Sequence, residues 1–320
     1  MKNYKKNLST LFVFLTLSGW ANFTNADDAP PPACVTAADV ITITGTDDYA
    51  CLTEPDIYKV KVYEMGLCAT APTLANFTTS CTAVTKIATG GLLTVATGVN
   101  AVVPGTFTRP DNGVYGYAYM VLAPEFRLTS TKTFSSSMMG YKNESTIGND
   151  GASGTTCWTR AVTTRDSNRA TAYNGVTPTP IINNSVITYL AACGAAENAA
   201  PGETIFVQDA FGGSAIGPDP DVDGVATAEA TVGGTTVNAY LTDATFTQAT
   251  DSDDVTRLVG FLTFATPVTV TDDSSSFISS FKVTQGTQIA YTSIDNEAGV
   301  STGRVVKMGS GPFVVDLIVN

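Results

Sequence analysis

Histidine is absent from the chain. Without it neither a Ser-His-Asp nor a Cys-His relay can be assembled, and the commonest zinc ligand is missing too. What remains for chemistry is a large stock of carboxylates, 29 Asp and Glu against 17 Lys and Arg, together with six cysteines. Two facing acids could carry out a glycoside-type hydrolysis. The aspartates sit mostly in turn-like contexts, however, and nothing marks two of them as a pair, so a carboxylate-dependent hydrolase is the weakest reading. A second possibility is recognition. Trp158, Arg160, Arg165, Arg169 and Tyr173 lie in a segment rich in Ser, Thr, Asn and Gly, from Lys132 to Asn184. Planar guanidinium and aromatic groups dominate binding hot spots, which makes these five the candidate binding surface. The plainer alternative leaves them as solvated loop residues, with Trp158 packed on a disulfide.

One motif carries a mechanism: Asp219-Pro220-Asp221-Val222-Asp223-Gly224. Alternating aspartates followed by glycine resemble the first half of the calcium loops of EF-hand and dockerin-like proteins. The resemblance implies Ca2+ held by the carboxylates of Asp219, Asp221 and Asp223, with Gly224 allowing the sharp turn. It covers six residues and then departs. The twelfth position is Ala230, Glu229 comes one place early, and strand signals follow where a helix would stand. A calcium loop on a β scaffold and a plain acidic turn both remain open. Asp251, Asp253 and Asp254 form a weaker acidic cluster that lacks the glycine.

Cys34, Cys51, Cys68, Cys81, Cys157 and Cys193 are an even set, and in an exported chain that implies disulfides. Proximity suggests pairs within Cys34 to Cys81 and a separate Cys157 to Cys193 bridge. Export itself is indicated by residues 1–26. Lys2, Lys5 and Lys6 precede the apolar run Leu11 to Leu17, and Thr24-Asn25-Ala26 offers small residues at a cleavage point, with a rival cut after Ala21. Removing this signal peptide leaves 14 basic residues against 29 acidic ones, a net charge of −15. Such a balance argues against nucleic acid as a partner, because phosphate binding rests on basic neutralisation. No later stretch reaches the roughly 18 apolar residues of a membrane-spanning helix.

The elements that must position these residues read as strands. The run Val114 to Leu122 is apolar or aromatic on both faces, so it should be central and covered on both sides. Val114, Gly116, Ala118, Met120 and Leu122 would share one face, and Tyr115, Tyr117, Tyr119 and Val121 the other. Pro124 should end it, since proline cannot donate to a ladder. In Ile57 to Tyr63, Tyr58, Val60 and Val62 alternate with Lys59 and Lys61, which marks a half-buried strand. Gly233-Gly234 between Ala226 to Val232 and Thr235 to Leu241 is a two-residue hairpin signature. Val255 to Phe264 and Val268 to Thr271 read as separate strands. The last strand, Pro312 to Val319, is mostly apolar and should be paired, either in its own sheet or with a neighbouring subunit.

The expectation is therefore an all-β, disulfide-stapled β-sandwich in two sandwich-like domains. These are a Cys-bearing domain over 27–195 and a Cys-free domain over 200–320, behind a signal peptide at 1–26. The expected function is an exported structural or adhesive protein, secreted or on the cell surface, with the periplasm as the alternative. Self-assembly or a surface glycan would be its partner. The rival reading is a calcium-dependent carbohydrate-binding module.

Overall fold

The structure is a computed structural model. It describes residues 8–14, 32–43, 49–97, 101–103, 105–140, 153–161, 163–165, 181–182, 185–186, 191–211, 226–232, 235–274, 277–295, 301–311 and 313–319. Among them the chain is nearly all β. Its helices are the single turns Phe77–Ser80 and Ala196–Asn198.

The central strand runs Gly113–Thr129. It lies between Arg257–Val270 on one side and Ile57–Cys68 on the other, in a nine-stranded sheet. Beyond Arg257–Val270 come Thr235–Thr242 and Thr227–Val232, and beyond Ile57–Cys68 come Cys81–Ala96 and Thr106–Phe107. The Gly-Gly hairpin forms with Val232 opposite Thr235. An eight-stranded sheet is built around Thr131–Gly140, Ser301–Ser310 and Thr287–Asp295. A four-stranded sheet places the terminal strand, Phe313–Val319, between Phe277–Lys282 and Leu8–Phe14. The composition boundary near residue 200 does not coincide with a sheet boundary. Strands from both sides of it pair in the nine-stranded sheet and again in the eight-stranded one.

The main core is shared between layers. Tyr58, Val60, Val62, Met120, Leu122 and Phe126 of the nine-stranded sheet meet Phe281 and Phe313 of the four-stranded one. Phe313 stacks on Phe281 at 5.6 Å and tilts against Tyr58 at 6.0 Å and Phe126 at 5.7 Å. The Tyr58 hydroxyl lies 2.8 Å from Ser310 Oγ, which ties this core to the eight-stranded sheet. Burial pushes the Tyr58 phenol well above its ordinary pKa, and the Ser310 hydrogen bond opposes that only in part.

Three sequence expectations are corrected here. Pro124 does not end the central strand, which continues to Thr129. On one neighbour the register jumps from Val62 opposite Leu122 to Val60 opposite Phe126, so Pro124 sits inside a bulge where that ladder asks nothing of its nitrogen. Its carbonyl accepts from Gln208 N at 2.8 Å. By the same rule Pro267 lies in the bulge between Thr263 and Val268, so the two strands expected there are one, Arg257–Val270. Finally, the face assignment inverts at Gly116. Tyr115, opposite Val268, is buried in the main core, while Val114 is 58 % exposed. From Tyr117 to Leu122 the expected alternation holds, with Ala118, Met120 and Leu122 inward and Tyr119 and Val121 outward.

Candidate functional site

The outward face of the nine-stranded sheet carries a second apolar cluster. Tyr119 and Val121 of the central strand stand beside Phe261 and Val259, their registered partners, with Cys68 on the other flank. Tyr63, Tyr117 and Tyr240 border it, partly buried. Gly66 opposite Tyr119 is required, because a Cβ there would collide with the Tyr119 ring and with the Thr82 carbonyl.

Two loops cap this face. The first is closed by Cys68–Cys81. The Asn76 side chain accepts from Thr73 N at 2.8 Å, and Phe77 follows, fully buried. The second is the turn after Thr242, where the Asp243 carboxylate accepts from Thr245 N at 2.8 Å and Thr247 N at 2.9 Å. The Thr245 hydroxyl, with lesser help from these amides, holds the Asp243 carboxyl below its ordinary pKa. The turn puts Phe246 at φ 68°, and its ring meets Phe77 edge-on at 5.0 Å. Phe77 in turn packs edge-on against Tyr119 at 5.0 Å. Residues distant in sequence thus form a single aromatic lid.

A charged side chain is built into this site. A bulge sets Glu64 opposite Val121, and its carboxylate is only 12 % exposed. Oε1 accepts from the Tyr119 hydroxyl at 2.6 Å, and Oε2 pairs with Lys86 Nζ at 3.0 Å. Burial first, then the hydrogen bond to Glu64 and its negative charge, push the Tyr119 phenol far above its ordinary pKa. Tyr119 therefore stays protonated at any physiological pH and serves as a donor, not as a base. Next to this pair the Arg257 guanidinium lies over the Tyr63 ring at 3.8 Å, with Lys61 Nζ at 5.2 Å. Arg257 Nη1 also donates to the Thr256 carbonyl at 2.7 Å.

Lys59 pairs with Glu203, and Arg127 bridges Glu125 at 2.8 Å and Glu203 at 3.5 Å. Burial alone would lower the Arg127 pKa. The hydrogen bond and charge of Glu125, with Glu203, outweigh it and raise the value. These groups are spent on one another. What the face offers outward is half-buried tyrosine and a cation stacked on a ring.

No protein family matches this chain, and no curated protein or solved structure is similar to it.

Of the residues singled out from sequence, those that are described fall elsewhere. Trp158, in the strand Ser153–Thr159, is 8 % exposed. Its ring packs over Gly194, where an added Cβ would come within 3.2 Å of it, one residue from the Cys157–Cys193 bridge. Arg160 is half-buried just past that strand, and its carbonyl accepts from Thr204 Oγ1 at 2.8 Å. Arg165 ends the short strand Thr163–Arg165, opposite Val207. Arg169, Tyr173, Asp219, Asp221 and Asp223 lie outside the described residues. Among the described residues no three acidic, cysteine or histidine side chains converge as a metal-binding group. In the second acidic cluster, Asp251 Oδ1 accepts from Asp253 N at 2.9 Å, an ordinary turn contact.

The six cysteines join as Cys34–Cys51, Cys68–Cys81 and Cys157–Cys193, the local pairing that proximity suggested. Sequence reasoning missed Glu64, Tyr63, Lys86 and Arg257. The tyrosine-rich alternation pointed to the right strand, but no local pattern joins Glu64 to Tyr119 or Arg257 to Tyr63.

Proposed function

We propose that this chain is an exported, non-enzymatic structural or adhesive protein of a cell surface. The observation that carries the reading is that all six cysteines are paired as disulfides in a nearly all-β frame. Such staples form and persist in oxidising compartments, in keeping with the leader read in residues 1–26. The polar groups on the sheet's outward face support the non-enzymatic part. Glu64, Tyr119 and Lys86 satisfy one another, as do Lys59, Glu203, Arg127 and Glu125. Electron microscopy of material recovered from exporting cells tests it, with filaments, lattices or surface-retained protein expected. Monodisperse protein in the medium, with no surface retention, would refute it.

A second reading, a glycan-binding module, is favoured by the Arg257–Tyr63 stack on a rigid sheet. Selective binding on a glycan array, lost on Arg257→Ala, would establish it in place of the first.

A further inference from the structure

The terminal strand Phe313–Val319 has a neighbour on each side. Phe277–Lys282 pairs with one edge. Leu8–Phe14 takes the other, antiparallel, from Leu8 opposite Val319 through Phe14 opposite Phe313. This second neighbour is the apolar part of the leader. The backbone of the segment also runs close to Thr235–Thr242 and Arg257–Val270. Leu241, Leu258 and Leu262 of those strands are fully or almost fully buried in the main core.

Cleavage after Ala26 would take Leu8–Phe14 away. It would leave a seven-residue strand edge with unpaired amides and carbonyls. An open apolar edge of this kind templates pairing with another chain. The edge is held rigidly, because Phe313 at its start is fully buried among Phe281, Phe126 and Tyr58. A preformed edge has little ordering left to do when a strand arrives.

We propose that in the mature protein this slot beside Phe313–Val319 accepts a donated β-strand from a second polypeptide. The proposal rests on the leader reading given above. The chemistry of the guest follows from the present occupant. Leu-Ser-Thr-Leu-Phe-Val-Phe is uncharged and mostly apolar, and among the described residues it pairs by one edge. The guest is therefore an extended, uncharged, apolar segment that binds antiparallel by main-chain pairing, the mode known as strand addition.

The test uses the mature product recovered from an exporting host after expression of the full chain. Intact mass first locates the N-terminus, expected after residue 26 or 21. A synthetic peptide of residues 5–16, which keeps Lys5 and Lys6 for solubility, is then added in trans. Saturable 1:1 binding is expected, together with a higher melting temperature and slowed deuterium exchange of amides 313–319. A peptide with both Leu11→Pro and Phe12→Pro should bind at least about tenfold more weakly, because one of two successive N–H groups faces the ladder and proline removes it. A processed chain that does not bind the peptide, or binds both peptides equally, overturns the proposal while leaving the leader reading intact. A product that still begins at Met1 overturns both, and the mass alone tells the two failures apart.

Discussion

Replacing Tyr119 by Phe removes one oxygen from the lid-covered face and keeps the ring against Phe77 and Phe261. The lost contact is the 2.6 Å hydrogen bond to Glu64, whose carboxylate is 12 % exposed and retains only Lys86. Hydrogen bonds to charged groups contribute about 1.5–3 kcal/mol, and a buried carboxylate left short of a donor stands toward the upper part of that range. Urea unfolding of the oxidised protein, followed by the fluorescence of Trp158, should therefore show a loss of about 2.5 kcal/mol for Tyr119→Phe. Glu64→Gln alone should cost less, because Gln can still accept from the hydroxyl and the freed Lys86 is 70 % exposed. The double variant should lose less than the two singles added, by about 1 kcal/mol.

The same pair fixes an alkaline response. Tyr119 and Tyr58 have pKa values raised by folding, so they stay protonated in the native state while unfolded tyrosine ionises near pH 10. Above that pH the unfolded chain binds fewer protons than the folded one. The stability these groups contribute is thus full below about pH 10 and falls by about 1.4 kcal/mol per pH unit for each tyrosine above it. Tyr119→Phe should flatten this slope. A variant within 0.5 kcal/mol of the parent, with an unchanged alkaline slope, would refute the assignment; the first figure is about the margin expected of an uninvolved surface site.

Phe77→Ala should destabilise by about 3–5 kcal/mol, since it empties a fully buried position between Tyr119, Phe246 and Phe261. Thermal melts that move by less than a degree would show that the lid is not packed as described. Removing the bridge that spans 36 residues, by Cys157→Ser with Cys193→Ser, should cost about 4 kcal/mol through the entropy returned to the unfolded chain; a denaturation midpoint equal to the parent's would contradict this. Millimolar calcium should raise the melting temperature through Asp219, Asp221 and Asp223, by about 2.7 kcal/mol of stability where calcium stands at a hundred times its dissociation constant. Identical melts in calcium and in chelator would remove that expectation.

The sequence alone settled what depends on neighbours along the chain. Period-two alternation in Ile57 to Tyr63 told which side chains face the core, because successive residues of a strand point to opposite faces whatever lies beside them. Gly233-Gly234 specified a hairpin, and the spacing of the cysteines suggested bridges within Cys34 to Cys81 without choosing the partners. Other features were decided only when strands far apart in sequence became neighbours. Pro124 and Pro267 stay inside strands because the ladders bulge where the prolines stand, and a bulge belongs to a pair of strands, not to either one. Glu64 finds Tyr119, Arg257 finds Tyr63, and Phe77 finds Phe246 across intervals that carry no local signal. Composition divided the chain near residue 200, yet the sheets run across that line. Backbone hydrogen bonding chooses partners by edge and register, without regard to which side of a linker the partner comes from.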